Sequence, residues 1–96
     1  MLVHIVCWKY KADTDPAMRA SHIARLKALK ALIDPVRTFE IGSDILHLHR
    51  SFDTGLVATF ADEAGLEAYT VHSEHRKVAA FGKEISEQVV SVDFLV

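Results

Sequence analysis

The sequence predicts an α+β domain with the element order β-α-β-β-α-β, and three observations carry that prediction. Both ends of the chain, Leu2 to Lys11 and Gln88 to Val96, are rich in β-branched and aromatic residues, as strands are. Two inner stretches repeat apolar residues at helical spacing, one closed by Asp34-Pro35 and one opened by Asp62. Between them lie two short strand-like runs, Val36 to Ile41 and Leu56 to Phe60.

The first strand alternates, with His4, Val6, Trp8 and Tyr10 on one face and Val3, Ile5 and Cys7 on the other. Both faces are largely apolar, so both need cover. Asp15-Pro16 then supplies an N-cap and a proline at the first helical position. Met18, Ile23, Leu26, Leu29, Leu32 and Ile33 mark the apolar face of that helix. It stops at Asp34, because the residue before a proline avoids helical angles. After the second strand, Gly42-Ser43-Asp44 reads as a bend, and Ile45 to Arg50 as a strand extension or an irregular hairpin arm. Asp62 caps a second helical region with Leu66 and Tyr69 on one face. β-Branched Thr70 and Val71 and the capping residue Ser73 predict a break, followed by a helix over 74–86 with Val78, Phe81 and Ile85 inward.

This order is the split βαβ, ferredoxin-like arrangement, a four-stranded antiparallel sheet with its helices on one face. It leaves a problem at the other face, where Val3, Ile5 and Cys7 point and where Val90, Val92 and Phe94 of the last strand share one phase. A monomer rarely tolerates so broad an apolar patch. Two copies stacked sheet to sheet hide it, so the expected state is a homodimer forming a dimeric α+β barrel.

Ninety-six residues with half of them apolar fit one folded domain over 1–96. The net charge of −2 carries no footprint for nucleic acid, and Arg25, Lys27 and Lys30 read as a solvated helix face. No apolar run is long enough to cross a bilayer. Met1 to Val6 lacks the basic leader and cleavage site of a signal peptide, and lone Cys7 cannot form an intramolecular disulfide. A cytoplasmic protein with no membrane partner is therefore expected.

Six histidines supply the groups that titrate near neutrality. Tyr69, His72 and His75 lie at the helix break, where Tyr69 and His75 can turn toward the space between helices and sheet. His4 faces the same space, and Asp93 on the neighbouring last strand offers a carboxylate to fix the tautomer of a nearby imidazole. Spacing alone favours a cap-and-packing role for Tyr69 and His75, with satisfied hydrogen bonds. His47 and His49 share a strand face but lack a third ligand, so no metal site is expected. His22 reads as a partly buried residue at the edge of the first helix, and Cys7 as an inert apolar one.

Four segments, taken together, resemble the stress-responsive A/B barrel domain family, Dabb. They are His4-Ile5-Val6-Cys7-Trp8-Lys9-Tyr10-Lys11, Arg50-Ser51-Phe52-Asp53, Tyr69-x-x-His72-x-x-His75 and Val92-Asp93-Phe94. The resemblance implies the same dimeric barrel and a cofactor-independent pocket for a small, largely apolar molecule. In the plant olivetolic acid cyclase, which is similar, aldol-type closure of a polyketide uses a histidine and a tyrosine that fall on His75 and Tyr69. A further pocket histidine falls on His4. The resemblance therefore implies catalysis by His75 and Tyr69, with Asp93 orienting His75 and His4 holding a polar end of the ligand. Val6, Trp8, Ile23 and Leu26 are then the expected apolar lining. Ser73 stands where the family often has proline, and Trp8 is bulkier than the usual aliphatic residue. A non-catalytic binder and an oligomeric stress protein are the alternative readings.

Overall fold

A computed structural model describes residues 1–96. Its elements are β1 (Leu2–Tyr10), α1 (Pro16–Leu32), β2 (Thr38–Ser43), β3 (Thr54–Phe60), α2 (Glu63–Val71), α3 (Ser73–Ile85) and β4 (Ser86–Leu95). The predicted order holds, with the second helical region broken once. Four antiparallel strands run β2-β3-β1-β4 across the sheet, and the helices cover one face.

Local chemistry sets the ends of the elements. The Asp15 carboxylate accepts from the Ala17 amide at 2.8 Å and Pro16 opens α1. The Asp62 carboxylate accepts from the Gly65 amide at 2.9 Å to start α2. Residues 45–50 form neither a strand nor a hairpin arm. Asp44 accepts from the His47 amide at 2.7 Å, and His47 adopts φ 51°, so the chain turns there and leaves the sheet. Asp53 then returns it to β1. Its amide donates to the Trp8 carbonyl at 2.9 Å and its carboxylate accepts from the Tyr10 amide at 2.8 Å.

Cross-strand pairs place His4 beside Ala58 and Asp93, Val6 beside Leu56 and Ser91, and Trp8 beside Thr54 and Val89. Partners in register share a face, so all of these side chains point toward the helices. On α1 the buried line is His22, Leu26 and Leu29, continued by Ile33 beyond the helix. The opposite face of the sheet has no cover within the chain, and Val57, Val90, Val92 and Phe94 are exposed there.

His22 is wholly buried, not a partly buried edge residue as its sequence position implies. Its Nδ1 shares a 2.8 Å hydrogen bond with the Tyr10 hydroxyl, which also bonds Thr54 Oγ1 at 2.9 Å. Trp8, Tyr10 and Phe81 surround the ring edge-on. Gly82 makes the space: a Cβ there would lie 2.6 Å from His22 Nε2 and 3.1 Å from Trp8 Nε1. The boxed ring cannot yield. Gly82→Ala should therefore destabilise the fold by about 1–3 kcal/mol despite the better helix propensity of alanine, the usual range for overpacking. A thermal melt checks this, and an unchanged or higher midpoint would count against the contact.

Candidate functional site

The site is built on the break between α2 and α3. His72 takes extended angles (φ −61°, ψ 134°) and serves both helices, as C-cap of α2 and N-cap of α3. Its Nδ1 accepts from the Glu74 amide at 3.1 Å, a task the sequence assigned to Ser73. An imidazole nitrogen can replace the usual Asp or Ser oxygen here, which composition does not signal.

The break frees a carbonyl. In a continuous helix the Thr70 oxygen would accept from the Glu74 amide, but that amide is taken by His72. Thr70 O instead accepts from His75 Nδ1 at 3.0 Å. A carbonyl can only accept, so the proton of neutral His75 sits on Nδ1 and the lone pair on Nε2. Burial pushes the His75 pKa below its ordinary value. The Thr70 bond works against that shift, while His4 and His72 add to it. Near neutral pH the ring is an uncharged base.

Tyr69, at the end of α2, is buried with its ring 4.2 Å from that of His75 and 6.2 Å from that of His4. Burial raises its phenol pKa, so the hydroxyl keeps its proton across the physiological range. That hydroxyl has no hydrogen-bond partner in the protein. His4 Nδ1 donates to the Asp93 carboxylate across the β1–β4 pair. Asp93 thus orients His4, not His75. The register decides this: His4 and Asp93 are direct cross-strand partners, whereas His75 comes from a helix.

A cavity of about 590 Å³ joins these groups, a volume typical of small-molecule sites. His4, Tyr69, Thr70 and His75 form one end, and Val6, Trp8, Leu26, Leu56 and Val89 form apolar wall. Of the expected lining residues, Ile23 is absent. It follows His22 by one residue and so points about 100° away from the His22–Leu26–Leu29 line. His22 also stays out of the cavity, and His47 and His49 lie on the exposed loop after β2. No helix is long and apolar enough to cross a membrane.

Among solved structures, a dimeric ferredoxin-like protein of unknown function from Thermobifida fusca matches with a TM-score of 0.90 at 25% identity. The match covers 99% of this chain and 90% of that one. A second such dimeric protein, from Bacteroides fragilis, gives 0.88 at 23% identity over 99% and 95% of the two chains. The hydroxynitrile lyase of Passiflora edulis gives 0.89 at 17% identity over 99% and 92%. A search of curated proteins gives no match. Residues 2–96 match the stress responsive A/B barrel domain, Dabb, and the chain belongs to that family.

Proposed function

We propose that this protein is a cofactor-independent acid–base catalyst acting beside a carbonyl in a small, largely apolar molecule, as aldol-type ring closure requires. One observation carries the reading: the Tyr69 ring lies 4.2 Å from that of His75 and 6.2 Å from that of His4, and all three residues border one cavity with an apolar wall. Removing a proton next to a carbonyl needs a base and a donor for the enolate oxygen. His75 Nε2 is the base, and the unpartnered Tyr69 hydroxyl is the donor. His4, held by Asp93, is a second hydrogen-bonding group for the polar end of the substrate. The Passiflora edulis lyase lends this chain its fold alone.

The test needs no knowledge of the natural substrate. A long-chain methyl ketone in heavy water should exchange its α-protons faster with the protein than without it, as followed by proton NMR. Binding without faster exchange would make the protein a carrier, and the catalytic reading would fall.

The working form in this reading is a homodimer joined through the open sheet face. Exposed Val90, Val92 and Phe94 lie there beside Val3, Ile5 and Cys7, and two solved neighbours are described as dimeric. Val92→Asp puts a charge at the centre of that patch and should give a folded monomer by analytical ultracentrifugation. A wild-type protein that sediments as a monomer at micromolar concentration would sink the dimer.

A further inference from the structure

His72 is the single residue between α2 and α3, and its φ of −61° is already that of a helix. Only its ψ departs, at 134° where a helix has about −42°. One dihedral angle thus separates two helices from one that runs on. No proline holds that angle, because the first residue of α3 is Ser73. Burial does not hold it either. Val78, Gly82 and Ile85 are the buried residues of α3, and none of them lies in its first turn. What remains there is the bond from the Glu74 amide to His72 Nδ1.

We propose that His72 is the positioning residue of the site: its ring, by taking the Glu74 amide, keeps the helix break in place and so holds His75 with its base nitrogen free. The inference rests on the acid–base reading above, in which His75 Nε2 is the base. His72 does not border the cavity, so its influence passes through the backbone. Without the ring nitrogen, the Glu74 amide needs another acceptor. The Thr70 carbonyl, four residues back, is the one a continuous helix would give it. That carbonyl now receives the proton of His75 Nδ1 at 3.0 Å. Once it is taken, His75 loses the contact that fixes its tautomer. A neutral imidazole released to water prefers its proton on Nε2, and a nitrogen that carries the proton cannot accept another. The later turns of α3 stay pinned by their buried residues, so the change is confined to the turn that carries His75.

Two substitutions separate the cap from the imidazole that supplies it. In His72→Asn the side-chain oxygen hangs from Cγ, as Nδ1 does, and asparagine is a favoured N-cap. Ser73→Pro sets the bend covalently, because the residue before a proline avoids helical angles and proline suits the first helical position. Position 73 tolerates the ring. Its side chain is exposed, and the Ser73 amide has no acceptor in the protein to lose.

Long-range proton–nitrogen NMR at about pH 8, above the ordinary histidine value, reads the tautomer of His75 directly. In the wild type the proton should sit on Nδ1. His72→Ala should move it to Nε2 and slow the α-proton exchange of a long-chain methyl ketone by about 10²-fold, the effect of a misplaced group. His72→Asn should restore both the tautomer and the rate. Ser73→Pro added to His72→Ala should do the same with no side-chain cap at all. A proton that stays on Nδ1 in His72→Ala would overturn the inference. So would an asparagine or double variant that keeps the proton on Nε2 and stays slow, and these two decide the matter even where His72→Ala is too unstable to study. A wild type that catalyses no exchange would end the acid–base reading, while the tautomer across the variants would still decide whether His72 sets the His75 ring.

Discussion

His75→Ala should lower protein-catalysed α-proton exchange of a methyl ketone by about 10²–10⁴-fold, the usual share of a positioned general base. The whole effect is expected in the rate and little in the fold. His75 is half-buried, and its one hydrogen bond is to the Thr70 carbonyl at the surface-facing helix break. Tyr69→Phe is the sharper partner variant, because it removes only the hydroxyl and keeps the buried ring packed against Phe39 and Phe60. Loss of an enolate donor should cost about 10²-fold or more. The pH profile separates catalysis from packing. Exchange needs neutral His75, so its rate should rise with pH and level off, with the midpoint below the ordinary histidine value because burial depresses it. Wild-type rates in both variants, or a profile with no histidine-like midpoint, would remove His75 and Tyr69 from the chemistry.

Much of this site was legible in the sequence, for reasons that differ by residue. His4, Val6 and Trp8 follow from strand alternation, which fixes their face once the strand is found. The helix break was visible because Thr70 and Val71 disfavour a helix interior, yet its cap was not, since His72 does the work expected of Ser73. The partner of Asp93 depends on β1–β4 register, which a single sequence leaves open. Thr70 matters through its carbonyl, a group that every residue carries. His22 looked like an edge residue because the space for it is made by Gly82, sixty positions away and without a side chain to betray a contact.

That same buried histidine gives the second large effect. Acidification from neutral to about pH 4.5 should cost the fold roughly 2–3 kcal/mol through His22 alone. Burial, helped by the nearby Arg25 charge, lowers its pKa from 6.5 to about 4 in the folded protein. Above pH 6.5 the ring is neutral whether the chain is folded or not, and it adds no pH dependence. Between that value and about 4 the unfolded chain takes up a proton that the folded one refuses, so stability falls as pH falls. Below about 4 both states are protonated and the loss stops growing. A charged ring would have no carboxylate near it: its neighbours are Trp8, Phe81 and the Tyr10 hydroxyl. Urea unfolding at fixed protein concentration measures the slope, and His22→Gln isolates it. The variant should be less stable at neutral pH, having lost the fitted ring, but its stability should fall less steeply on acidification. Carboxylates that titrate lower in the range contribute equally to both proteins and cancel in the difference. Parallel pH profiles for the two proteins would show that the buried imidazole does not govern acid stability.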